Sequence, residues 1–103
     1  MHKKVYHTTV SLTVNGEQFE LTGRGNGRFD AVSNALRKGL NIRFHDIVYQ
    51  EHSLERGSTS RAIAYVGITA DSGKTFWGSG VHTDIASASI YALFSAVNRL
   101  LSF

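Results

Sequence analysis

The chain reads as an α+β domain, an antiparallel sheet with two helices on one face, assembled from units in the order ββα and βββα. Three observations predict it. Several runs alternate apolar and polar residues as half-buried strands do, and two segments carry apolar residues at helical spacing. A Gly-x-Gly sequence leading into a helical pattern also occurs twice, at Gly23-Arg24-Gly25 and Gly78-Ser79-Gly80, 55 residues apart. Self-similarity at that offset predicts two related supersecondary units about a pseudo-two-fold axis. Their Gly-rich turns would then lie close together, ringed by backbone N–H groups and helix N-termini suited to a small anionic ligand.

Val5 to Val14 alternates cleanly, with Tyr6, Thr8, Val10, Leu12 and Val14 on one side. Asn15-Gly16 is the favoured type I′ hairpin pair, so Glu17 to Thr22 returns antiparallel with Phe19 and Leu21 facing the core. A helix follows from about Asp30, with Phe29, Val32 and Leu36 on one stripe, Arg37-Lys38 in its last turn and Gly39 as its left-handed C-terminal cap. Ile42 to Leu54 is strand-like with apolar groups on both faces, and Glu55 to Ser60 is a turn. Arg61 to Ala70 presents Ala62, Ala64, Val66 and Ile68 as a small-residue face for a helix, while Tyr49 and Tyr65 fall to the other face, a surface suited to an interface. Asp71-Ser72-Gly73 is a second hairpin signal before the strand Thr75 to Val81. From Thr83 as N-cap, one long helix turns Ile85, Ser89, Ala92, Leu93, Ala96, Val97 and Leu100 inward. Its many alanines and serines permit close approach to a sheet or to a second copy of the chain.

Length bounds the chain to one domain over residues 1–103, and 42% hydrophobic residues with no proline exclude disordered and linker classes. There is no cysteine, which removes disulfides and thiol chemistry and fits a reducing, cytoplasmic setting. No run approaches a membrane span, and Met1-His2-Lys3-Lys4 leads into an alternating segment rather than the apolar core of a signal peptide. The net charge of +3 is scattered, so no nucleic-acid face is expected.

The catalytic motifs fail on spacing. Gly67 to Thr75 resembles a phosphate loop, but five residues separate its glycines and it runs into β-type Phe76-Trp77, so it reads as a hairpin turn. Gly23-Arg24-Gly25-Asn26-Gly27 follows a hairpin and lacks the third glycine of a dinucleotide fingerprint; a turn needing positive φ is the simpler reading. His7, His45, His52 and His82 show no metal-ligand spacing, and the pairs His45-Asp46 and Glu51-His52 point to opposite strand faces. No nucleophile elbow is present. Neither catalysis nor a cofactor is expected of this chain.

One family matches these residues. Gly25-Asn26-Gly27 with Asp30-Ala31, Tyr49-Gln50-Glu51-His52, Ala62-Ile63-Ala64-Tyr65-Val66, and above all Lys74-Thr75-Phe76-Trp77-Gly78-Ser79-Gly80 continuing to Ala96-Val97-Asn98-Arg99 resemble the carboxy-terminal regulatory domain of 2-isopropylmalate synthase, an enzyme of leucine biosynthesis. The resemblance implies a homodimer that binds the end product L-leucine between protomers and inhibits a separate catalytic barrel absent from this chain. It departs at Arg28, where the family favours proline, and at Ser53, where it favours a small apolar residue. Those departures keep open an isoleucine-sensing citramalate synthase relative, or an unrelated small-molecule-binding dimerisation module. A basic RNA-binding domain ranks lower, because Phe76-Trp77 neighbour only Lys74.

An amino-acid effector needs a partner for its carboxylate, one for its ammonium and an apolar slot. Helix-start N–H groups near Phe29 and Thr83 would serve the first, and an Asp the second. Asp30 is that residue, though it also reads as a helix cap. Carried over from the family, the effector positions are Phe29, Asp30, Tyr49, Ser53, Ser60, Ile63, His82 and Thr83.

Overall fold

The computed structural model describes residues 4–14, 16–53 and 61–102. Asn15 and the 55–60 turn, Ser60 included, lie outside the described residues. The element order is β1 (Tyr6–Val14), β2 (Glu17–Gly25), α1 (Arg28–Gly39), β3 (His45–Ser53), β4 (Ala62–Thr69), β5 (Thr75–His82) and α2 (Ile85–Ser102). The α+β class and the ββα, βββα order hold. The strands are divided, however, between a two-stranded sheet, β1-β2, and a three-stranded sheet, β3-β4-β5, both antiparallel. The chain forms two compact units, unit 1 (Met1–Ile42) and unit 2 (Arg43–Phe103).

In unit 1, Val10 and Leu21 of the ribbon are buried with Ala31, Val32, Ala35 and Leu36 of α1. The cross-strand pairs His7–Arg24, Thr9–Thr22, Ser11–Glu20 and Thr13–Gln18 make the opposite face wholly polar. Gly16 takes φ +84° at the first hairpin, as a type I′ turn requires.

The end of α1 differs from expectation. Gly39 is its last helical residue, Leu40 is the αR C-cap, and the left-handed residue is Asn41, with φ 52°. The Ile42 N–H then bonds to Arg37 O at 3.1 Å, which is the Schellman closure with asparagine in glycine's place. Gly39 is instead small because a Cβ there would run into the Leu21 side chain.

The Gly-x-Gly pairs are strand residues rather than turns, and among the described residues the positive-φ glycines are Gly16 and Gly73. A Cβ at Gly23 would come within 3.0 Å of Ala31 O and Ala35 N, and one at Gly78 equally near Ala92 O and Ala96 N. The glycines let a helix backbone settle directly onto the strand, and the alanines opposite serve the same end.

In unit 2, α2 covers β4 and β5, where Ala62, Ala64, Val66 and Ile68 are buried against Ala88, Leu93, Ala96 and Val97. By length and composition α2 could cross a bilayer, at 18 residues and mean hydropathy 1.2, a property the sequence reading missed. Its small-residue side is spent on the glycine strand, the packing of a core helix. Ile85, expected inward, is exposed. The phosphate-loop lookalike is a hairpin turn, with Gly73 at φ +89° and its N–H on Ala70 O at 2.9 Å. A register irregularity between His45 and Val48, with Asp46 at φ 50°, brings His45 Nε2 to 3.4 Å from Asp46 Oδ2, so this adjacent pair does meet on the exposed surface.

Candidate effector site

The two helix starts are built differently. The N-cap of α1 is Gly27, extended at φ −154° and without a side chain to cap the helix. Asp30, in the first turn, reaches back so that its Oδ2 accepts the Asn26 N–H at 3.0 Å, and it lies against Gly25. A carboxylate there opposes the positive end of the helix dipole, but the helix begins at Arg28 and its N-cap is Gly27, so Asp30 braces the segment before the helix rather than capping it. Phe29 is half-buried beside it.

The cap of α2 is Asp84, one residue beyond the expected Thr83. Asp84 Oδ2 accepts the Ser87 N–H at 3.3 Å and the Ser87 hydroxyl at 2.8 Å, and the Ala88 N–H bonds to Asp84 O at 3.0 Å. Threonine and aspartate are both good caps; the aspartate three residues before Ser87 wins because it engages backbone and hydroxyl together. Thr83 is exposed between strand and helix. His82 Nδ1 accepts the Asp84 N–H at 2.9 Å, which leaves the proton of the neutral ring on Nε2, and its ring lies 5.6 Å from that of Tyr91. Tyr91 escaped the sequence reading, and Asp84 stood at the expected helix start without being taken as its cap. The usable signal was the apolar run starting at Ile85, which makes residue 84 the position before the helix.

Strand register sorts the remaining residues. Ser53, Ala62 and His82 form one row across β3, β4 and β5, so Ser53 and His82 share the helix-bearing face, roughly 10 Å apart at ordinary strand spacing. Tyr49 pairs with Val66 and lies on that face too, not on the face of Tyr65 as expected. Both Tyr49 and Ser53 are exposed, because α2 lies over β4 and β5 and leaves β3 largely uncovered. Ile63, by contrast, pairs with His52 and Val81 on the opposite face. Tyr49, Ser53 and His82 are thus brought to one face of unit 2 and Ile63 to the other, with Thr83 in the connection to α2, and Phe29 and Asp30 belong to unit 1.

These features define an α+β module with helices seated on glycine strands. A family model, the LeuA allosteric (dimerisation) domain, matches residues 1–101, and the chain belongs to that family. It is 48% identical over 96 residues to a 2-isopropylmalate synthase of Desulfitobacterium hafniense, covering 93% of this chain and 17% of that protein. It is 54% identical over 84 residues to the synthase of Helicobacter hepaticus (82% and 15%), and 43% over 100 residues to that of Rhizobium johnstonii (97% and 18%). The chain therefore spans less than a fifth of these relatives' length.

Proposed function

We propose that this chain is the feedback-sensing part of a 2-isopropylmalate synthase: a dimer-forming domain that binds L-leucine and passes inhibition to a catalytic domain elsewhere, with no catalysis or cofactor of its own. The match to the allosteric family over residues 1–101 carries the reading. The two helix starts refine it. Asp84 already places a carboxylate at the start of α2, whereas the α1 N-cap, Gly27, contributes no side chain. The effector's carboxylate is accordingly assigned to the α1 N-cap position that Gly27 leaves bare, with Asp30, whose carboxylate turns back to the Asn26 N–H, as partner for its ammonium and Phe29 beside it; Tyr49, Ser53 and His82 are positions the family implies. Ser60 and Ile63 keep the roles the family implies.

The dimer is assigned to the outer face of β3-β4-β5. Three of its rows, Val48-Gly67-Trp77, Gln50-Tyr65-Ser79 and His52-Ile63-Val81, contain no Asp, Glu, Lys or Arg. Trp77 is 46% exposed there and Val48 49%. An uncharged aromatic face can meet its own two-fold copy without like-charge repulsion.

Calorimetric titration with leucine, isoleucine and valine tests the effector. Leucine at a hundredfold its dissociation constant should add about 2.7 kcal/mol, several degrees in melting temperature. A response to isoleucine alone would transfer the chain to the citramalate branch.

A further inference from the structure

We propose that unit 1 carries a second binding pocket, for a phosphate-bearing small molecule, on the basic side of the β1-β2 ribbon. A cavity of about 490 Å³ opens there, lined by residues of the ribbon and by Asn34 and Lys38 of α1. That is the size of a small-ligand site. Arg24 and Lys38 bring cationic groups to its lining, Asn34 an amide, and Thr8, Thr9 and Thr22 three hydroxyls, with the His7 imidazole directly across the ribbon from Arg24. No carboxylate lines the cavity, and no apolar side chain does.

Elsewhere the chain supplies an acid for an exposed cation, as in Arg43–Asp71 at 3.7 Å. In this pocket it does not: among the described residues neither the Arg24 guanidinium nor the Lys38 ammonium has an ion-pair partner. Two like charges gathered in a concavity repel each other unless an anion joins them. The frame around them is fixed. Asn34 Nδ2 donates to Arg24 O at 2.7 Å, tying helix to strand at the point from which Arg24 projects, and Arg37 Nη1 reaches Asn34 Oδ1 at 3.5 Å, which sets the amide's orientation. A guanidinium fork, an ammonium, an amide N–H and hydroxyls suit the several oxygens of a phosphate. With no apolar slot, the pocket rejects leucine, so it is separate from the effector site.

Titration of the 103-residue chain with inorganic phosphate, followed by amide NMR against sodium chloride of equal ionic strength, tests this. Saturable shifts are expected at Thr9, Thr22, Arg24 and Asn34. The R24Q/K38Q double variant should weaken them about tenfold or more, with its unfolding midpoint near the parent's because both side chains are exposed; each single variant should fall between. Shifts reproduced by chloride, or parental phosphate affinity in the double variant, would overturn the site. Acetate binding as tightly as phosphate would overturn the phosphate class, and displacement of phosphate by leucine would overturn its separateness.

Discussion

In unit 1 the helix rests on Gly23 and Gly25 through Ala31 and Ala35; in unit 2 it rests on Gly78 and Gly80 through Ala88, Ala92 and Ala96. The atoms correspond as well, since each leading glycine faces the carbonyl of one alanine and the N–H of the alanine four residues on. The spacing does not. The glycine pairs are 55 residues apart, whereas Ala31 and its counterpart Ala92 are 61 apart, because α2 places an additional turn ahead of this contact and the stretch from the glycine pair to the helix start is two residues longer. Backbone seating therefore recurs where a constant sequence offset fails. The outward faces differ in kind: threonine, serine, glutamine and charged groups on the ribbon, aromatic and aliphatic groups on the three-stranded sheet.

If the two seats are equivalent, filling either should cost the same, and this is the largest effect expected. Gly78→Ala and Gly23→Ala each force a methyl group against helix backbone that cannot swing aside, for a loss of about 2–3 kcal/mol in urea unfolding. Gly67→Ala separates backbone walls from movable ones. Its methyl would meet the Trp77 ring at 2.9 Å, and that ring is a side chain that can shift where backbone cannot, so a loss nearer 1 kcal/mol is expected. Equal losses at all three glycines would refute the distinction.

The contrast in outer faces comes next. Trp77→Lys puts a charge into the uncharged rows, and an aromatic anchor lost from an interface is typically worth on the order of 2 kcal/mol, about thirtyfold in dimer dissociation. Thr9→Lys on the ribbon should leave the dimer unchanged. Sedimentation velocity across a dilution series reads both; a dimer insensitive to Trp77→Lys but broken by Thr9→Lys would exchange the roles of the two faces.

How far the sequence showed these differences depended on whether the deciding contact was local. Alternation made the buried row of β4 and the hairpins legible, since both depend on neighbouring residues. The role of Gly23 and Gly78 was not, because glycine is equally at home in a turn and beneath a helix, and only the partner backbone decides. Asn41, not Gly39, took the helix-ending conformation, and Gly39 is small for a different reason, since Leu21, distant in sequence, occupies the space a side chain there would need. Tyr49 changed faces through the irregularity between His45 and Val48, which leaves no mark in an apolar pattern. Within the proposed site, the helix-start residues Phe29 and Asp30 were locally legible, but the opposition of Ile63 to Ser53 and His82 followed only from register.

Asp30 is expected to separate the two parts of its role. Asp30→Asn retains an oxygen to accept the Asn26 N–H, so unliganded stability should fall by less than about 1 kcal/mol. It removes the charge proposed for the effector's ammonium, and a charge-assisted hydrogen bond is worth about 1.5–3 kcal/mol, or more than tenfold in leucine affinity. Equal leucine affinity in mutant and parent would leave Asp30 a helix-start residue alone.

The smallest effect concerns the caps themselves. Asp84→Ala removes the oxygen that holds the Ser87 N–H and hydroxyl, for a loss of about 1 kcal/mol. Gly27→Asp is its converse: nothing lies within 4 Å of a Cβ at Gly27, whose backbone is already extended as a cap requires, so a few tenths of a kcal/mol should be gained. The two substitutions should act oppositely on leucine. A carboxylate added at the start of α1 repels the carboxylate proposed to bind there, so Gly27→Asp should stabilise the free chain while weakening leucine, as expected when a bare helix start is kept for a ligand. Asp84→Ala should destabilise the chain and leave leucine affinity nearly unchanged. If calorimetry instead shows Gly27→Asp binding leucine as the parent does while Asp84→Ala does not, the effector's carboxylate belongs at α2 and the assignment of the two helix starts is reversed.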